Sequence, residues 1–572
     1  MKTNINTVAS ASPALTDWNE IQWIKAEKYV MKLRQRIFRA KQLGQHRKVR
    51  KLQRLMLRSK ANLILSIRRA TQLNKGKRSA GVDGYKVLKP QHRIELFNAM
   101  KDQKLLLHRP LPAKRTYIEK KNGKLRPLGI PTIKDRVFQS MVKNALEPEW
   151  EAKFEAVSYG FRPKRSILDA TEDIWYKMNS KSKKSWVFEG DFKGCFDNLN
   201  HGFIMEQTKT FPGNKLITRW LQAGYVDNGV FNTTEAGTPQ GGIISPLLEN
   251  IALHGMEAAL GITYRGGIHY DKINVSSKRS MVRYADDFVV FCESKEDAEK
   301  VYDDLKVYLA SRGLELSCEK TKITHIEDGF DFLGFNIRRY KSSLTKQGTK
   351  LLIKPSGSSV KKAREKIKEV FKECFGQRVL ILIERLNEVI RGYGNLWRHT
   401  VASKALNSLD YYMWKLITNH LKVLHPKKSA DWRTKRYFST AKHGGSRDKW
   451  ILTCPVTEKQ LLKFGWFKIE RHVKVKFKNS IDDAKLKKYW IERGIKEFDS
   501  TNVMHRIKLA KAQNYLCPLC KRGLHEEGEA LEVDHKREKN RGGKDTYKNF
   551  QLVHVSCHNE RHHVRVNWHV MA

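Results

Sequence analysis

Met281-Val282-Arg283-Tyr284-Ala285-Asp286-Asp287-Phe288-Val289-Val290-Phe291 reads as two apolar β-runs joined at a turn that carries a pair of carboxylates. A second strand-like run, Val187-Phe188-Glu189-Gly190-Asp191-Phe192, delivers a third aspartate. Carboxylates at the ends of apolar strands are costly unless a cation or solvent compensates them. If the two elements are neighbours in one sheet, Asp191 and Asp286 can hold a pair of Mg2+ ions about 3.5–4 Å apart, the arrangement used for in-line phosphoryl transfer. Asp287 is a third candidate ligand, although adjacent strand residues point to opposite faces. An Asp-Asp pair also serves simply as a turn, and these residues alone leave both readings open.

The flanking chain separates them. In order come Gly81-Val82-Asp83-Gly84, the stretch from Tyr117-Ile118-Glu119-Lys120 to Pro127-Leu128-Gly129-Ile130-Pro131, Tyr159-Gly160-Phe161-Arg162-Pro163, the Asp191 to Asp197 run and Gly237-Thr238-Pro239-Gln240-Gly241-Gly242. The Tyr-Ala-Asp-Asp hairpin follows, then Leu316-Ser317-Cys318-Glu319-Lys320-Thr321-Lys322 and Phe332-Leu333-Gly334-Phe335. This ordered series resembles the reverse transcriptases. The resemblance implies a right-hand polymerase of fingers and palm, with Asp191, Asp286 and Asp287 as catalytic Mg2+ ligands. It implies that Lys114, Lys120 and Arg126, flanking an Asn122-Gly123 hairpin turn, contact the triphosphate of an incoming dNTP, a task that suits the bidentate arginine. Phe196 matches the aromatic that blocks a nucleotide 2′-hydroxyl, and it equally suits the palm core. Gln240 stands beside glycines that would let backbone approach nucleic acid.

Beyond the polymerase stretch, Val360 to about His425 is helical in pattern and basic. Within it Ile390-Arg391-Gly392-Tyr393-Gly394-Asn395-Leu396-Trp397 resembles the thumb, or X domain, of group II intron-encoded maturases, with Gly394 where that family has alanine. By this resemblance Arg391 contacts RNA phosphate; Trp397 stacks on RNA or, the commoner fate of such a residue, packs in the core.

Cys517-Pro518-Leu519-Cys520 and His554-Val555-Ser556-Cys557 form two ligand pairs with the spacing of a tetrahedral Cys3His zinc site. Val533-Asp534-His535, Asn549, His558 and His562 accompany them and resemble the H-N-H, or ββα-metal, nucleases. The resemblance implies that Asp534 and His558 hold a catalytic divalent ion, that His535 activates water and that Asn549 orients His535. His562 is either a further ligand or a surface histidine. The usual zinc-bearing H-N-H variant has four cysteines, whereas His554 takes one of those places here. A zinc knuckle that merely binds nucleic acid would explain the cysteines but not the Asp, His and Asn series.

The 572 residues suffice for roughly four units. The 110 Lys and Arg against 60 Asp and Glu leave a formal charge of +50, which calls for a polyanionic partner. Residues 1–80 carry 20 basic and 3 acidic groups and residues 341–450 carry 25 and 8, whereas 81–340 are nearly balanced at 40 and 34. Val30, Leu33 and Ile37 mark an apolar helix face near the start. Arg34, Arg36, Arg39, Arg47, Lys48, Arg50, Lys51, Arg54 and Arg391 are the candidate RNA contacts. Eight scattered or knuckle-spaced cysteines exclude a disulfide framework. No stretch stays apolar for the roughly 18 residues a spanning helix needs, and the start lacks a secretory core.

The sequence therefore predicts a multidomain α+β protein. Its parts are a basic helical RNA-binding extension (1–80), fingers and palm (81–345), thumb or X domain (346–425), a DNA-binding region (426–500) and an H-N-H endonuclease domain (501–572). The resemblances imply RNA-directed DNA polymerase, maturase and second-strand endonuclease functions in intron mobility. The implied partners are a group II intron lariat RNA, target DNA and dNTPs, with no membrane. The expected location is the cytoplasm and bacterial nucleoid, or an organelle. A reverse transcriptase of a defence or retron-like system and a splicing-only maturase are the alternatives.

Overall fold

The computed structural model describes residues 17–18, 21–119, 123, 125–265, 274–275, 277–442, 446–525 and 530–566. Its central sheet is antiparallel, in the order Lys322–His325, Trp186–Gly190, Asp287–Cys292, Ser280–Tyr284. Side chains alternate across a strand, and here both faces are covered. Phe188, Phe288 and Val290 enter one core with helix Lys295–Ala310, while Val187, Val289 and Phe291 enter another with helix Ile167–Met178. The register sets Gly190 opposite Phe288 and Tyr284 opposite Asp287. Asp191 thus leaves its strand at the sheet end where Ala285-Asp286 reverses the hairpin. Glycine is required at 190, since a Cβ there would lie 2.1 Å from the Phe288 ring.

Helices Trp23–Gln42, His46–Leu57 and Lys60–Arg68 pack on helix Ile133–Glu151 and share the first core. The described helices of 23–68 are therefore part of the same body as the central sheet. One expected RNA contact is overturned by this packing: Arg34 is buried, its Nε 2.7 Å from Asp482 and its Nη2 2.9 Å from Glu147. Burial pushes the Asp482 carboxyl up, and the Arg34 guanidinium offsets only part of that rise. The apolar period could not reveal this, because the partner lies 448 residues along the chain.

The expected division at 345 falls inside a hairpin, strands Phe335–Lys341 and Thr349–Pro355, where Lys341 pairs with Thr349. Helices Gly357–Glu373, Val379–Trp397 and Ser403–Leu424 follow, and Tyr437, Leu452, Leu461 and Phe464 complete the core these helices form. No core boundary therefore stands at 426.

Residues 470–482 run as a strap along helix Ile167–Met178. Arg471 Nε is 2.7 Å from Glu172, His472 Nε2 is 3.1 Å from Asp169, and Lys474 pairs with Asp173. Asp169 also accepts from the Val475 amide at 2.8 Å, and Arg165 donates to the carbonyls of Phe477 and Asn479. This part of the expected DNA-binding region spends its basic residues on the protein itself. The last core begins within helix Lys487–Thr501, where Phe498 joins Ile507, Leu524, Leu552 and Val553. There strands Leu531–His535 and Phe550–His554 pair antiparallel and lead into helix Val555–Val566. Among the described residues no helix is long and apolar enough to cross a membrane.

Candidate active sites

At the end of the central sheet, the turn joining Tyr284 to Asp287 holds Ala285 at φ 58° and presents Asp286 and Asp287 beside Asp191. Burial and then the neighbouring Asp191 charge push the Asp286 carboxyl up, against a backbone hydrogen bond. Burial, reinforced by Asp286 and Asp191, pushes Asp287 up to about 6. Two carboxyls held back from ionising, Asp286 and Asp287, with Asp191 as a third oxygen donor, suit a hard divalent cation. The chain's own counter-charge is Lys320, whose Nζ is 3.0 Å from Asp191 Oδ1. Lys320 had no role assigned from sequence; its signal was its place in the Leu316 to Lys322 motif.

Strands Ala113–Glu119 and Leu125–Ile130 form the basic hairpin, with Ile118 opposite Arg126 and Lys114 opposite Ile130. This register puts Lys114 and Arg126 on one face, and both are exposed. Arg126 Nε donates to Gln240 Oε1 at 2.9 Å, and the Gln240 carbonyl accepts from the Gly129 amide at 2.8 Å. Gly241, at φ +127°, makes that approach possible, since a Cβ would lie 2.7 Å from the Gly129 oxygen. Phe196 is buried with its ring 6.4 Å from Phe161. Lys120 and Asn122 lie outside the described residues.

The second centre is a cleft of about 470 Å3 lined by Asp534, His535, Glu538, Lys539 and His558 among others. Asp534 is buried, accepts from Gln551 Nε2 at 2.9 Å and from Arg561 Nη1 at 2.5 Å, and lies 3.6 Å from His558 Nε2. On its other side His558 places Nδ1 3.2 Å from Glu532. His535 Nε2 is 2.7 Å from Asp545 Oδ1. Because a carboxylate only accepts, Nε2 carries the hydrogen and Nδ1 keeps its lone pair.

Asn549 does not bond His535 directly, as expected from the resemblance, but reaches it through the loop that carries Asp545. Its side chain accepts from the Arg537 amide at 2.8 Å and donates to the Arg537 and Lys544 carbonyls, closing the loop on which Asp545 stands. Sequence reasoning missed Asp545, whose approach needs the turn at Gly542-Gly543; a Cβ on Gly543 would lie 1.9 Å from the Arg537 oxygen. The His562 side chain lies outside the described residues.

Cys517, Cys520, His554 and Cys557 bring one ligand atom each within 4.8 Å of one another, matching the roughly 3.8 Å edges of a tetrahedron with zinc–sulfur bonds of about 2.3 Å. His554 turns Nδ1 to Cys520 Sγ at 3.3 Å and Nε2 to the Gly523 carbonyl at 3.3 Å, which fixes the tautomer a metal would need. Hydrogen bonds from Cys520 and Cys557 pull the Cys517 thiol far below its usual range. Three thiols and one imidazole fit zinc.

Of the remaining basic candidates Arg36, Arg39, Arg47, Lys48, Lys51, Arg54 and Arg391 are exposed and Arg50 is half-buried. Trp397 is buried and packs beside Tyr393. Gly394 faces Phe467, whose ring would lie 2.6 Å from an added Cβ.

Comparison with known proteins places four family models along the chain. They are the N-terminal domain of reverse transcriptase over 18–100, reverse transcriptase (RNA-dependent DNA polymerase) over 118–337, the group II intron maturase-specific domain over 360–438 and HNH endonuclease over 517–564. Protein YkfC of Escherichia coli is 35% identical over 322 residues, covering 51% of this chain and 84% of that protein. The group II intron-encoded protein LtrA of Lactococcus lactis is 36% identical over 307 residues, covering 44% of this chain and 51% of LtrA. Maturase-like protein 1 of Euglena gracilis is 25% identical over 396 residues, covering 68% of this chain and 79% of it. The chain belongs to the group II intron-encoded reverse transcriptase–maturase family, in a form that carries a C-terminal HNH endonuclease domain. It is an RNA-directed DNA polymerase and a DNA endonuclease, and both families depend on divalent metals.

Proposed function

We propose that this chain binds its group II intron RNA as a ribonucleoprotein, assists its splicing, and copies the intron after it has inserted into DNA. The observation that carries the reading is the presence on one chain of two separate centres, the Asp191, Asp286 and Asp287 cluster and the Asp534, His535 and His558 cleft, beside exposed basic helices. In this reading the central sheet is a palm, the hairpin 113–130 belongs to fingers, and helices 357–424 form a thumb over the template–primer duplex. Lys114 and Arg126 hold the dNTP triphosphate, with Gln240 aiming Arg126, and Phe196 bounds the sugar. Asp191, Asp286 and Asp287 would hold Mg2+, whose positive charge would stabilise in-line attack of a primer 3′-oxygen on the α-phosphate as the α–β P–O bond breaks and pyrophosphate leaves.

At the other centre Asp534 and His558 hold a divalent ion while His535 Nδ1 takes the proton of the attacking water, and Asp545 steadies the imidazolium that results. Zinc on Cys517, Cys520, His554 and Cys557 staples this small ββα unit. The nick it makes in the second DNA strand frees the 3′ end that primes synthesis.

Separate variants test the division. Asp286→Ala should abolish primer extension and spare nicking, and His535→Ala should do the reverse. Loss of both activities in either variant would defeat the assignment of two centres. RNA co-purifying without group II intron secondary structure would defeat the maturase reading.

A further inference from the structure

Three sequence motifs far apart in the chain are linked through one buried arginine beneath the polymerase site. Arg283, immediately before Tyr-Ala-Asp-Asp, is fully buried. Its Nη1 donates at 3.1 Å to the Ala285 carbonyl and at 3.1 Å to Asn250 Oδ1. Asn250, also buried, lies on helix Ser245–Ala252, which follows the Pro239 to Gly242 motif; its Nδ2 donates at 2.9 Å to the Gly160 carbonyl. Gly160 belongs to the Tyr159 to Pro163 motif, whose chain runs beside the strand: Tyr159 donates to the Arg283 carbonyl, and the Arg283 amide donates to Val157, both at 2.9 Å. The approach is so close that a Cβ on Gly160 would lie 2.2 Å from the Ala285 nitrogen.

The turn needs such support. Ala285 sits at φ 58°, a left-handed conformation strained for an L-residue, and the two carboxylates that follow repel each other and Asp191. Left to itself the turn would relax, and Asp286 would swing away from Asp191. A guanidinium can donate to two acceptors in fixed directions, which an ammonium on a flexible stem cannot match.

We propose that Arg283 and Asn250 are positioning residues of the polymerase: they clamp the Ala285 carbonyl between two other motifs and so fix the carboxylates at metal-binding separation. Neither touches substrate. The inference rests on the polymerase assignment, which Asp286→Ala tests by itself. It is tested with Asn250→Ala and Arg283→Lys in the full chain, by primer extension and by a readout that needs no turnover. In the latter, Fe2+ replaces Mg2+, and ascorbate with peroxide cleaves the polypeptide where the iron is held.

The expected result is a fall in kcat of about 10- to 100-fold with KM for dNTP nearly unchanged, because Lys114 and Arg126 are untouched. Half-saturating Fe2+ for cleavage near Asp286 should rise by a similar factor, the range seen when outer-shell partners of metal ligands are lost. Nicking by the His535 centre should persist, and an unchanged thermal unfolding transition of the polymerase core serves as the test of folding. Wild-type kcat and wild-type iron cleavage in folded variants would overturn the proposal. So would a rise in KM alone, which would move these residues to dNTP binding. If Arg283→Lys loses nicking as well, Asn250→Ser, which keeps a small polar group at the site, decides between the same outcomes.

Discussion

Arg34 stands among the basic residues of the N-terminal helices, yet its removal should act on the protein and not on RNA. Its guanidinium reaches Asp482 through two bonds of 2.7 and 2.8 Å and Glu147 at 2.9 Å, with the Asp482 side chain fully buried and that of Glu147 8% exposed. Breaking a buried pair by deleting one partner costs about 3–5 kcal/mol, because the charge left behind is uncompensated. Arg34→Met leaves Asp482 without its cation, whereas Glu147 keeps Lys143 at 3.5 Å. At about 1.4 kcal/mol per tenfold, local opening of the contact should become roughly 100-fold to several thousand-fold more frequent, read as lost amide hydrogen-exchange protection over 476–486. The salt dependence of intron RNA binding should keep its slope, whereas alanine at Arg36, Arg39 or Lys51 should each lower it by just under one. Replacing all three members, Arg34→Met, Glu147→Leu and Asp482→Leu, should recover most of the protection. Unchanged exchange together with a flatter salt dependence in Arg34→Met would refute the reasoning.

Gly394→Ala should cost about 1–3 kcal/mol of overpacking against Phe467, and Phe467→Leu should restore most of it in a double-mutant cycle. A zinc-selective chelator with Mg2+ kept in excess, or Cys517→Ser, should release one zinc per chain and abolish nicking while primer extension survives. Asp545→Ala should slow nicking by about 10- to 100-fold without loss of cleft metal, since the residue steadies only the base. Burial, with Glu155 nearby, pushes the Glu257 carboxyl up to about 7. A raised carboxyl favours the folded state below its unfolded pKa and loses that contribution as pH rises from about 4.5 to 7, a swing of about 3 kcal/mol. Glu257→Gln should therefore flatten the fall in thermal stability between pH 5 and pH 8; an unaltered profile would contradict it.

Much of the polymerase site could be read directly from the chain because its signals are local. The apolar runs on either side of Asp286-Asp287 and the run ending at Asp191 each announce a strand, and the glycines at 190 and 241 mark close approaches. The Cys3His set was equally legible, since its two pairs lie within a few residues. What stayed hidden depends on partners distant in sequence. Arg34 looked like a surface arginine because nothing near it points to Asp482, and the expected DNA-binding region took in Arg471 and Lys474 because their partners Glu172 and Asp173 lie some 300 residues away. Asp545 was missed for a different reason: a loop carboxylate signals nothing until Gly542-Gly543 folds it back. The division at 345 was misplaced because the turn at Gly348 joins strands that look from sequence like separate pieces.

The strap sets where this protein can be severed. A chain ended near 426 would strand Asp169, Glu172 and Asp173 without their cations and leave Arg34 facing an absent Asp482. One ended a little past Lys487 would shed the endonuclease and keep those ion pairs except that of Arg493 with Asp169. A splicing-only descendant of this architecture would thus retain residues through the strap, and its shortest stable form would be some 60 residues longer than the maturase helices suggest.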